Sequence, residues 1–166
     1  MLFRSVLTKN ENPDVSLKNT DGSLVGPFNL MVHEPRLGGA LQKLGGVILY
    51  RGALTARARE IAILCVAAHQ QSAFERSAHE RIGRSAGLTD AEMAAIAAKV
   101  PLELADTSEA CVLRVSRALL EDGDLDDAAY ADAVSVLGEA GMIELSTVIG
   151  YYSMVALQLR LFRVPG

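Results

Sequence analysis

The 166 residues suit one domain with a substantial core and are too few for two ordinary ones. Half are apolar, only 5% are aromatic and none is Trp, so Ala, Leu, Val and Ile must fill the core, as in helix-on-helix packing. A net charge of −4 and a pI near 5.4 exclude a basic field for nucleic acid, and a mean hydropathy of +0.23 leaves an apolar surplus that points to subunit interfaces.

In chain order, residues 1–21 read as an extended lead-in and 22–166 as a single domain. Turn chemistry falls at Asn12-Pro13, Asn19-Thr20-Asp21-Gly22 and Gly26-Pro27. Met1 to Pro13 holds Arg4 and Lys9 but no apolar run of signal-peptide length, so a cytoplasmic location is the default. A short helix is expected near Phe28–Val32, before Pro35, which disfavours helix at the preceding residue. Leu37, Leu41, Leu44 and Ile48 recur at helical spacing and predict a helix over Arg36–Tyr50.

Gly52 breaks that helix and Thr55 caps the next, which carries Ile61, Ile63, Leu64, Ala67 and Ala68 inward to about Gln70. A third long helix is expected from Ser72 to Ala86, stopped by Gly87. Thr89-Asp90-Ala91-Glu92 is a capping box for a short helix to about Lys99, with Pro101 beyond it. Thr107 or Ser108 caps a helix carrying Val112, Val115, Leu119 and Leu120, which ends before Gly123. Asp126 or Asp127 opens another to about Leu137, and a last helix runs from Ile143 to Phe162, apolar almost all round. Its uncharged stretch, Leu145 to Leu159, is short for a bilayer and suits a buried or interfacial helix, so no membrane partner is expected. No strand pattern, repeat or linker is visible. The expectation is an all-α, single-domain bundle of about 6–8 helices.

Chemistry concentrates in two strings, Arg57-Ala-Arg59-Glu60-Ile61 and Ser72-Ala-Phe-Glu75-Arg76-Ser-Ala-His79. Ser72, Glu75 and His79 are spaced i, i+3, i+7 and share one helix face, with Arg76 at its border. A Glu four residues before a His can accept a hydrogen bond from one ring nitrogen, fix the tautomer and leave the other nitrogen to move a proton. The same spacing also describes an exposed ion pair of modest value, common on any helix. Glu60 has Ile63, Leu64 and Ala67 as its helical neighbours. Such a carboxylate must find a donor in the core or stay at the helix start beside Arg57 or Arg59.

The other polar residues carry weaker signals. Cys65 and Cys111 match no metal or redox spacing and read as buried thiols. His33 and His69 suit capping or surface roles, with His33 also able to reach a neighbouring subunit's pocket; Tyr151 and Tyr152 could present a hydroxyl to a site but better suit core or interface packing. Three histidines with scattered acids form no metal cage, and the Gly-Gly pairs fit no phosphate loop, so neither a metal nor a cofactor is implied. Arg76, Arg81 and Arg84 alternate with Glu75 and Glu80, the pattern of a solvated face.

The chain resembles the carboxymuconolactone decarboxylase-like, alkyl hydroperoxidase D-like helical family. The resemblance rests on Gly52-x-Leu54 to Arg59-Glu60-Ile61, on Phe74-Glu75 to His79, and on Gly87-Leu88-Thr89. Gly26-Pro27-Phe28 with Pro35, and Leu145, Gly150-Tyr151 and Met154, extend it over nearly the whole chain. It implies a trimer or hexamer of all-α subunits with sites near the interfaces. In the peroxidase branch a Glu, a CxxC cysteine pair and a His work together. The Glu and His fall on Glu60 and His79, but the cysteine positions hold Ser72 and Glu75, which cannot do thiol–disulfide chemistry. A thiol peroxidase or antioxidant role is therefore disfavoured.

The decarboxylase branch also has Glu four residues before His and no cysteine pair. By that resemblance the chain is a carboxy-lyase-like enzyme of aromatic-compound catabolism. It acts on a carboxylated lactone or related acid without a cofactor. His79, Glu75 and Glu60 would be catalytic, and Arg76 and Ser72 would contact substrate. Relatives often carry Trp where this chain has Arg76, a departure that alters the pocket wall. A non-catalytic helical oligomer that only binds a ligand is the alternative from outside enzymology.

Overall fold

The computed structural model describes residues 22 and 24–164, so the lead-in expected over 1–21 lies outside the described residues. Helix covers 75% of the chain and no strand occurs among the described residues, as the composition predicts. The helices are α1 (Pro27–Met31), α2 (Pro35–Tyr50), α3 (Ala56–Gln70), α4 (Ala73–Ser85), α5 (Asp90–Ala97), α6 (Thr107–Glu121) and α7 (Asp127–Leu161).

Most boundaries follow from local cap chemistry. The Thr55 hydroxyl accepts from the Ala58 amide at 3.1 Å, and Thr89 and Glu92 complete a reciprocal capping box. Pro35 occupies the first turn of α2, where its missing N–H costs nothing, and Glu34 caps it. The cap of α6 is Asp106, not Thr107 or Ser108 as the sequence suggested. Its carboxylate accepts from two successive amides, those of Ser108 and Glu109, which one hydroxyl would serve less well.

The two C-terminal helices expected from the sequence join into α7, interrupted only at Gly138, whose φ of 68° and ψ of 167° are not helical. That conformation is open essentially to glycine alone. The break is thus one residue wide rather than the five between Leu137 and Ile143. By length and composition alone α7 could cross a bilayer. Here Leu145, Val148, Tyr152, Val155, Ala156 and Leu159 are buried along one face of it.

Helix α3 is the centre of the bundle and packs against α4, α5, α6 and α7. Ile61, Ala62, Ile63 and Val66 are wholly enclosed, so α3 buries all its sides rather than one stripe. Its first turn is tied by charge. The Arg57 guanidinium bonds Glu92 at 2.5 Å and Glu109 at 2.9 Å, and also donates to the Gly87 carbonyl. The Arg57 hydrogen bond, with Thr89 helping, holds the Glu92 carboxyl down at about 2. Helices α1 and α2 pack mainly on each other and on α7, with Ile48 of α2 reaching the core.

Candidate active site

Glu60 lies in the second turn of α3 among fully buried neighbours and is itself 1% exposed. No rotamer can take its carboxylate to water, so a donor must come to it. That donor is His79, 7% exposed on α4, whose Nδ1 stands 2.7 Å from Glu60 Oε2. The approach depends on the turn between the helices. Gln71 adopts the left-handed conformation at φ 54°, and Ser72 starts α4 by accepting from the Glu75 amide at 3.4 Å. The chain thereby reverses and α4 lies along α3.

The other carboxylate on the expected face behaves differently. Glu75 is 2% exposed, and neither of its oxygens has a hydrogen-bond partner among the described residues. Burial pushes its pKa up to about 8, only partly offset by the nearby Ser72 hydroxyl, so the group is protonated at neutral pH. The expected Glu75–His79 contact is therefore absent, and Glu60 meets the imidazole instead.

Two tyrosines of α7 close the cluster. The Tyr152 ring stands edge-on to His79, with centroids 5.0 Å apart and planes at 89°. Tyr151 meets Tyr152 at 5.3 Å. Burial, with the charge of Glu75 as a second cause, raises the Tyr151 phenol to about 12. Burial also holds Tyr152 well above the usual range, reinforced by Glu60, Tyr151 and Glu75 and opposed by Arg59. Both are neutral phenols, able to donate. The Tyr151 hydroxyl presses on α2 at Gly45, where a β-carbon would lie 2.7 Å from it. Glycine at position 45 lets α2 form that wall.

Of the residues singled out in the sequence, Glu60, Glu75 and His79 are buried together and Ser72 shapes the turn beneath them. Arg76 does not join them: its side chain is 54% exposed and bonds Glu80 at 2.7 Å. His33 is exposed between α1 and α2. His69 lines a separate cavity of about 10 Å³ with Cys65, Lys99 and Arg117, room for at most one water. Both cysteines are free and buried, and desolvation raises the Cys65 thiol to about 12, far from a reactive thiolate. Among the described residues no three His, Cys, Asp or Glu side chains are grouped to hold a metal.

Tyr152, for which packing was the preferred role in the sequence, stands against His79. A tyrosine in an otherwise apolar helix was the available signal.

Fold and site together define an all-α domain built around a buried carboxylate–imidazole pair flanked by a neutral carboxyl and two phenols. Residues 35–110 match the carboxymuconolactone decarboxylase family, which supports the resemblance carried by the sequence motifs. The matched segment contains Glu60, Ser72, Glu75 and His79, while the tyrosines of α7 lie beyond it. No match was found among curated proteins.

Proposed function

We propose that the protein is a small-molecule enzyme that decarboxylates a carboxylated lactone or related acid by acid–base chemistry at His79. The observation that carries the proposal is the 2.7 Å Glu60–His79 bond between two groups that are 1% and 7% exposed. A carboxylate only accepts, so in that form Glu60 holds the ring hydrogen on Nδ1 and leaves Nε2 to move a proton. In the imidazolium form Nε2 carries the second proton.

Loss of carbon dioxide breaks the carbon–carboxylate bond and leaves its electron pair on the substrate as a conjugated carbanion. Nε2 gives that carbon its proton, Glu60 balances the imidazolium before transfer, and solvent reloads the ring. Glu75, protonated and enclosed, keeps a second negative charge away from the developing carbanion. The phenols of Tyr151 and Tyr152 supply hydrogen-bond donors beside it. Substrate entry needs one wall to move, and α2, which packs mainly on α1 and α7 rather than on α3, is the wall proposed to move.

The burial and raised pKa of Cys65, with Ser72 and Glu75 at the cysteine positions of the peroxidase branch, argue against thiol chemistry. Self-association belongs to the same reading. Leu37, Leu44, Val47 and Tyr50 on α2 and Ile143, Leu157 and Leu161 on α7 are exposed, an apolar surface suited to further copies of the chain. A trimer or hexamer by light scattering is the expected state, and a single-protomer mass at micromolar concentration would count against it.

The deciding test is turnover of carboxylated γ-lactones by purified protein, followed as carbon dioxide release. Turnover abolished in His79→Gln supports the reading. Selective binding without turnover would make the protein a ligand-binding member of the family.

A further inference from the structure

Helices α1 and α2 meet the rest of the fold at close contacts that glycines permit. At the start of α1, Gly26 lies against the Phe74 ring of α4, where a β-carbon would stand 2.0 Å from Cζ. On α2, Gly45 receives the Tyr151 hydroxyl. Just past its end Gly52 receives the Glu144 carboxylate, where a β-carbon would stand 1.8 Å from Oε1. Tyr151 and Glu144 are two turns apart on one face of α7, and Gly45 and Gly52 repeat that spacing, so α2 runs antiparallel along α7. Phe74 and Tyr151 are chain neighbours of Glu75 and Tyr152, so the α1–α2 pair reaches across the His79 cluster from α4 to α7.

The polar tie lies elsewhere. Among the described residues, no hydrogen bond or ion pair joins α1 or α2 to α3–α7. The tie is in the loop after α2, where Glu144 Oε2 accepts from the Ala53 amide and, at 3.0 Å, from the Leu54 amide. Neither amide has a backbone partner, so one side chain of α7 sets the angle at which α2 meets α3. Glu144 Oε1 is buried with nothing to bond, so the carboxylate grips the loop through one oxygen. Helices held by contact and by one charge-assisted clamp at their hinge can lift without losing their own hydrogen bonds.

We propose that α1 and α2 form a lid over the His79 cluster, swinging about residues 51–54, and that Glu144 is the positioning residue that holds it shut. This rests on the reading of that cluster as the working site, and it assigns Glu144 to access, separate from proton transfer.

The test follows access without turnover. Diethyl pyrocarbonate modifies accessible imidazoles, and peptide masses report buried His79 beside exposed His33 in one sample. Glu144→Ala should speed modification of His79 about 10–100-fold and leave His33 unchanged. Amide exchange should rise in α1 and α2 and stay as in the wild type in α5 and α6. Glu144→Gln, which keeps an acceptor for the amides, should fall between. Should Glu144→Ala fail to fold, Gly45→Ala decides: its β-carbon would stand 2.7 Å from the Tyr151 hydroxyl and should prop α2 away, exposing His79. His79 modified at the wild-type rate in the deciding variant overturns the proposal, as does exchange raised equally in every helix. If His79 is exposed on cue while no carboxylated lactone is turned over, the lid stands and the decarboxylase reading falls.

Discussion

Two sets of ionisable groups meet α3 within one turn of each other, at Arg57 and at Glu60, and they are built to opposite rules. At the helix start, Arg57, Glu92 and Glu109 consume one another's hydrogen-bonding capacity, and the side chains keep some contact with water. One turn on, Glu60 Oε1 and both oxygens of Glu75 are buried with nothing to bond. A cluster that only holds helices together has no reason to leave acceptors empty, because each costs about 1–3 kcal/mol. Unsatisfied groups beside a satisfied network mark where the fold gives up stability for chemistry.

The contrast is sharpest in variants. His79→Gln should lower kcat by about 10²–10⁴-fold while the melting temperature stays near that of the wild type. Glu60→Gln should cost about 10–100-fold in rate, as expected for a group that orients the base. Wild-type kinetics in both variants would erase the distinction between the two clusters.

Glu75 makes the next-largest difference, in stability against pH. Its folded pKa of about 8 lies above the ordinary 4.5. The unfolded chain therefore loses that proton first, and the group's contribution is full below about 4.5 and lost as pH rises through about 8. Denaturant titrations of the wild type should fall by about 2–4 kcal/mol across that window from this residue. Glu75→Gln should remove most of that slope; an equal slope in the variant would show that Glu75 is ionised in the folded protein.

Arg57→Ala tests the other cluster. It leaves Glu109 and Glu92 without their cation and should cost about 1–3 kcal/mol, discounted for their partial exposure. Well below the melting point, kcat should not change. The smallest effect belongs to Arg114, whose bond to Asp132 lies on the surface with both side chains exposed. Arg114→Ala should shift stability by less than about 0.5 kcal/mol, within the error of most melts.

How much of this was legible beforehand depended on sequence distance. Thr55 and Thr89 announced their helices because a cap involves residues three apart. Gly138 was harder, since a single left-handed glycine can end a helix or merely interrupt one. The partner of His79 was out of reach. Glu75 at i−4 satisfied every local rule, whereas Glu60 is 19 residues away and reaches the ring only because Gln71 turns the chain back. Arg76 was misjudged for the same reason: it borders the face of His79 by spacing, yet its side chain turns out to solvent and pairs with Glu80.

Glu60 is proposed to fix the imidazole of His79 for proton transfer. Nitrogen-15 NMR of histidine-labelled protein tests it most directly, because the chain has only three histidines and His79→Gln identifies the signal. At a pH where the His79 ring is neutral, hydrogen should sit on Nδ1 with Nε2 bare, and that tautomer should be lost in Glu60→Gln. A wild-type signal with hydrogen on Nε2, or a tautomer indifferent to Glu60→Gln, would contradict it.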